Sequence, residues 1–215
     1  MKMAELSTAS GVSAATIKYY QRERLLPAAD KTAPNQADYT ERHLERLRLI
    51  RALTEVGGLS VARAGAVIAS IDSGEPVLYT FATAQHAISE HLDAADIDAD
   101  ALQHVDAAMP GWRVSPDNPG RLAAARVYET FVAVGQADEA GWLAGYAASA
   151  LQAAEADLNE IDSRVGRDAQ AETVVVGSVL GDRLFSGLRR AAQEHVASGR
   201  YPAPAYPDDY EEPTP

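Results

Sequence analysis

The chain has 215 residues, 47% of them apolar and 23% charged, with a formal net charge of −12 and no cysteine. That length accommodates one large or two ordinary domains with real cores, and the missing cysteines exclude disulfides, thiolate metal sites and cysteine-ligated iron–sulfur clusters. No run of about 18 apolar residues predicts a membrane span, and no apolar stretch precedes Glu5 as a secretion signal would, so the cytoplasm is the expected location.

In chain order, Met3 to Ala9 predicts a short helix with Leu6 inward. Gly11 supplies a left-handed turn that other residues resist, and Val12 plugs the angle to a second helix. Ser13 is its N-cap, with a hydroxyl that accepts from an orphan N–H. Ile17 faces inward, while Thr16, Lys18, Tyr19 and Gln21 project outward and Arg22 and Arg24 add cationic reach. A helix presented in this way meets the major groove and its phosphates. Pro27 to Tyr39 is rich in turn formers, and two short strands are predicted to flank Asn35 as a wing. Thr40 caps the next helix, with His43 where a capping box would place Glu. Leu44, Leu47, Ile50 and Leu53 recur at helical spacing up to Gly57-Gly58. Leu59-Ser60 opens another helix with Val61, Ala64, Val67, Ile68 and Ile71 as its apolar positions, and Ser73 to Pro76 is the predicted domain boundary.

Charge divides the chain at the same place. Residues 1–72 carry ten Lys and Arg against eight Asp and Glu, while residues 73–215 carry nine against 23. The first part can approach phosphate and the second is repelled by it.

The order helix, turn, helix, wing, helix, helix resembles the DNA-binding domain of the MerR family of transcription regulators. The residues that carry the resemblance are Gly11-Val12-Ser13, Thr16 to Tyr20, Leu25-Leu26-Pro27, Tyr39-Thr40, Leu44-Glu45-Arg46-Leu47 and Ile50. The resemblance implies that the first tyrosine of the Tyr19-Tyr20 pair touches DNA and the second packs. Two departures stand out. The family's Gly-Tyr-Arg wing segment reads Asn35-Gln36-Ala37 here, so Lys31 or Arg42 replaces the wing's phosphate contact; the lead-in strand is also shortened. The expected DNA contacts are therefore Thr16, Lys18, Tyr19, Arg22, Lys31 and Arg42.

The remainder matches no known effector domain and reads as helices throughout: Val77 to Leu92, Asp98 to Met109, Arg121 to Val134, Asp138 to about Arg164 as the longest, and one or two more over Ala169 to Ser198, kinked near Gly177 or Gly181. Glu172 to Val176 is a β-branched run that competes with helix. Ala147, Leu151, Ala154, Leu158, Ile161 and Val165 step by four and three as an a/d seam, which serves either a dimer or ordinary bundle packing. Residues 201–215, rich in Pro and acid, predict a flexible tail.

The expected architecture is mainly α: a winged helix-turn-helix domain over residues 1–72, an acidic helical effector and dimerisation domain over 73–200, and the tail. Trp112, Tyr128, Phe131, Trp142 and Tyr146, with Glu129, Asp138 or Glu139 as counter-charge, form a candidate pocket for an organic, cationic ligand; aromatics at this spacing serve equally as core. His86 and Glu90, four apart, share a predicted helix face, but without a third ligand they predict no metal site. No cofactor and no catalytic constellation are expected, which argues against an enzyme. The resemblance implies a homodimer on double-stranded promoter DNA that deforms the duplex and so acts on RNA polymerase indirectly, with a small organic effector biasing the outcome. Two other classes fit the same residues: a ligand-independent repressor or architectural DNA-binding protein, and a drug-sequestering protein.

Overall fold

The structure, a computed structural model, describes residues 1–33, 36–138 and 140–201. It divides into a unit over residues 1–180 and a second over 181–215. Among the described residues the regular secondary structure is helical apart from one two-stranded hairpin.

Helix α1 (Met3–Ser10) ends at Gly11, whose φ of 68° lies in the left-handed region. Helix α2 (Ala14–Arg22) starts from Ser13, whose Oγ accepts from the Thr16 N–H at 3.1 Å. Val12, Leu6 and Ile17 are buried together, as the helix-turn-helix pattern requires. Strands β1 (Asp30–Ala33) and β2 (Gln36–Asp38) pair antiparallel as the wing. Asn35, the predicted wing turn, lies outside the described residues. The shortened lead-in still docks: Met1 and Tyr39 exchange two backbone hydrogen bonds, of 2.7 and 2.9 Å.

Helix α3 (Glu41–Arg51) follows Thr40, and His43 does complete the capping box: its Nδ1 accepts from the Thr40 N–H at 3.1 Å. The helix widens into one π-helical turn, Ala52–Val56, before Gly57. Helix α4 (Val61–Asp72), capped by Ser60, buries Ala64, Val67, Ile68 and Ile71, as its periodicity predicts.

Beyond residue 72 several expectations are corrected. Helix α5 (Val77–Ile88) ends four residues early. The backbone turns extended at Ser89 (φ −93°, ψ 154°), and new starts follow: Asp93 caps a short 3₁₀ turn and Asp98 caps α6 (Ala99–Ala107). Glu90 therefore lies off the helix, and the shared face with His86 does not exist. Helix α7 (Pro119–Ala133) starts two residues early, on an Asn118 cap with Pro119 at its first position. Helix α8 (Trp142–Asp162) has 21 residues and is not the longest; that is α9 (Arg167–Arg200), with 34. It is one helix, unbroken at Gly177 and Gly181, and includes the β-branched run. Val174 and Val175 are fully buried, and that packing outweighs their weak helix preference.

The main core joins α1 to α4 with Ala84 and Ala87 of α5 and Ala171, Val175 and Val179 of α9. A separate small core lies between α6 and α7, built on Ile97, Ala101, Val105, Leu122, Ala125 and Tyr128. The seam on α8 is mostly uncovered: Ile161 is buried, Leu151 and Leu158 are exposed, and Val165 lies past the helix end. Packing among the described residues leaves it uncovered.

Candidate nucleic-acid interface

Helix α2 is the element built to be read from outside. Its inward positions, Ile17 and Tyr20, pack on the main core, while Lys18, Tyr19 and Arg22 share the opposite face at helical spacing. Tyr19 remains 37% exposed and its ring lies 5.9 Å from that of Tyr20, with Arg22 Cζ 6.0 Å above it. This gives a flat aromatic surface flanked by two cations, which suits contact with sugar and phosphate at a groove edge. Thr16 is half-buried and its Oγ1 is 2.8 Å from that of Ser13, so the hydroxyl is held at the start of the helix.

The two wing-related candidates differ. Arg42 is exposed in the first turn of α3. Lys31 lies on β1 opposite Ala37 by its backbone, and its side chain lies outside the description. Behind the reading helix, Leu25 and Leu26 are buried and both amides return to the Tyr20 carbonyl, at 2.9 and 3.3 Å. Arg24 makes this turn with a φ of 61°, a left-handed conformation unusual for a side chain of its size.

Two supporting groups are not legible in the linear pattern. Arg51, at the end of α3, donates from Nη1 to the Ser10 carbonyl at 2.9 Å and holds Glu55 with its other nitrogens at 2.9 and 2.7 Å. That pairing pulls the Glu55 carboxyl below its ordinary range. Arg46 is buried and pairs with Asp72 at 2.5 Å, fastening α3 to the end of α4. An Arg followed four residues later by Glu is visible in sequence for the first; nothing local announces the second.

The six candidates for an organic ligand fall in four settings. Trp112 lines an open cavity of about 230 Å³ with Met109, Val114, Pro116 and the Asp106–Arg121 ion pair. Tyr128 is buried in the small core, stacked on His104 at 5.1 Å. Glu129 pairs with Arg126 and accepts from the Asp98 N–H at 2.6 Å. Phe131, Trp142 and Tyr146 do come together: Phe131 and Trp142 stack at 4.8 Å and 8°, and Tyr146 meets Trp142 edge-on at 5.5 Å. Asp138, beside them, accepts from the N–H groups of Trp142 and Leu143 at 2.6 and 2.8 Å, and these bonds, that from Leu143 foremost, hold its carboxyl below the usual range. Its charge serves the helix start. Glu139 lies outside the described residues.

Among the described residues no group of three or more His, Asp or Glu could hold a metal, and no helix is long and apolar enough to cross a membrane.

Residues 1–71 match the profile of the MerR HTH family regulatory protein. A 50-residue stretch is 40% identical to an HTH-type transcriptional regulator, a ZntR homolog of Haemophilus influenzae; the match covers 23% of this chain and 37% of that relative's length. The crystal structure of the putative transcriptional regulator SCO5550 from Streptomyces coelicolor A3(2) is similar over 96% of this chain and 100% of that one, with 31% identity and a TM-score of 0.71. With α2 set out as a reading helix beside a wing, the chain belongs to the MerR family of DNA-binding transcription regulators and carries the family's DNA-binding domain at its N-terminus.

Proposed function

We propose that the protein works as a homodimer that grips a two-fold symmetric promoter site through Thr16, Lys18, Tyr19, Arg22, Arg42 and Lys31 of each copy, and deforms the duplex between the half-sites. The observation that carries the dimer is the uncovered apolar face of α8, where Leu151 and Leu158 are 43% and 48% exposed on a helix that buries Ile161 alone. An apolar stripe of this length is costly in water and is covered in a stable protein. Closed two-fold pairing covers it with the same stripe on a second copy. Such a pair sets two reading helices into successive major grooves. Bending a site of 20–30 base pairs costs on the order of 1–6 kcal/mol, which the phosphate contacts of two domains can supply. The deformed promoter is then what polymerase meets.

Ligand response belongs to the same proposal. The stacked Phe131–Trp142 pair with Tyr146 lies at the first turn of α8, so a flat organic ligand added to that stack biases the start of the dimer helix. Sedimentation tests the dimer. The wild type is expected to sediment as a dimer at micromolar concentration, and a Leu151→Asp, Leu158→Asp double variant as a monomer with weakened binding to duplex DNA; a monomeric wild type contradicts the reading.

A further inference from the structure

At the corner between α8 and α9, just ahead of the α9 residues Ala171, Val175 and Val179 that pack in the main core, one side chain adds a polar tie to the DNA-reading domain. Arg167, the first residue of α9, directs its guanidinium at the end of α4. Nε donates to the Glu75 carbonyl at 2.8 Å, Nη1 to the Ile71 carbonyl, and Nη2 to the Ser70 carbonyl at 3.0 Å and the Ser73 hydroxyl at 3.4 Å. Nη1 also faces the Asp168 carboxylate at 3.3 Å. The carbonyls of Ser70 and Ile71 are among the last four of α4, which have no partner within their own helix and form the negative end of its dipole. A planar fork with five donors answers that geometry; an ammonium does not. The same turn holds Asp72, whose carboxylate fastens buried Arg46 of α3. Helices α3, α4 and α9 thus converge on one knot, with Glu75 of the connecting loop drawn into it. Arg167 lies on a different element from the reading face of α2.

We propose that Arg167 is a positioning residue for operator recognition: it fixes the corner at which the dimer helix α8 meets the reading domain, and so sets the separation of the two reading helices. The proposal rests on the dimeric reading above. Without the latch, α9 stays packed through Ala171, Val175 and Val179, but the α8–α9 corner ahead of them loosens, and the second half-site is met at lower effective concentration and with looser spacing. A single half-site does not sense this.

The test uses the full chain and a symmetric duplex recovered by selection from a random DNA pool, with its isolated half-site as the control. Arg167→Met removes the fork at similar length and Arg167→Lys keeps only a point charge. Both are expected to remain helical and dimeric and to bind the half-site as the wild type does. Full-site affinity is expected to fall on the order of tenfold for Met and less for Lys, and discrimination among duplexes whose half-site spacing differs by one or two base pairs flattens. Should the Met variant fail to fold, two glycines inserted after Gly166, which leave the Arg167 fork on α4 intact and uncouple α8 from it, are expected to give the same flattening. Equal losses on half-site and full site, or unchanged spacing preference in a dimeric variant, overturn the proposal alone. A wild type that binds the full site as a monomer overturns the dimeric reading and the latch with it.

Discussion

The guanidinium of Arg51 reaches across from α3 to donate to the Ser10 carbonyl at 2.9 Å, where α1 ends and Gly11 turns the chain into the reading helix. The angle between α1 and α2 is therefore held from outside the helix-turn-helix. A Cβ on Gly11 would lie 3.0 Å from Arg51 Nη1, so turn and clamp fit one another. Arg51→Met is expected to lower the thermal midpoint and weaken DNA binding without altering the exposed face of α2. Gly11→Ala, which strains the left-handed turn as well, is expected to cost about 1 kcal/mol or more. Thermal unfolding followed by circular dichroism measures both.

Gly57 shows why a residue readable as a helix stop has a second role. A Cβ there would meet Val179 Cγ1 at 2.3 Å and the Leu53 carbonyl oxygen at 2.6 Å. Helix α9 approaches the π-helical turn so closely that only glycine fits. Gly57→Ala is expected to destabilise by about 1–3 kcal/mol through overpacking. Adding Val179→Ala should recover part of that loss, since one of the two clashes disappears, and a double-mutant cycle by chemical denaturation reads the coupling.

Much of residues 1–72 was legible in the sequence because the determinants there are local. Ser13 and Ser60 cap helices, Gly11 turns, and Leu44, Leu47 and Ile50 repeat on one face. Even the His43 cap could be anticipated from its place three residues after Thr40. The later chain was less legible because its boundaries depend on competition and distance. Asp93 and Asp98 cap new turns where a longer α5 was expected, while Val175 holds a helix that its preference opposes by packing on partners remote in sequence. Arg167 bonds to carbonyls more than 90 residues earlier, and no periodicity signals such a contact. The ligand candidates were scattered for the same reason: Tyr128 and Trp142 look alike in sequence, yet one is buried in a small core and the other is half-exposed.

The start of α8 is expected to respond to acid. Asp138 accepts from Leu143 and Trp142, and its carboxyl is held below its ordinary range, near 3.9 in an unfolded chain. Because the folded value is depressed, the stabilisation is fully present above about pH 4 and is lost as pH falls through the lowered value. In a Trp112→Phe background, Trp142 emission should change only below that pH, and Asp138→Ala should show the altered emission already at neutral pH. A Trp142 signal indifferent to both changes contradicts the cap.

Lys18 is the clearest of the proposed phosphate contacts, exposed on α2 beside Tyr19. Lys18→Ala is expected to weaken binding across sequences and to lower the slope of log affinity against log salt by about one. A mobility-shift series at several salt concentrations measures this, and an unchanged slope removes Lys18 from the interface.

Two copies of this chain are proposed to read DNA together through α2. Selection of bound duplexes from a random DNA pool by the full-length protein tests it most directly. Enrichment of a two-fold symmetric sequence is expected, with half-sites centred about 10 base pairs apart or a multiple of that. Recovery of a single asymmetric site, or of no preferred sequence, would contradict it.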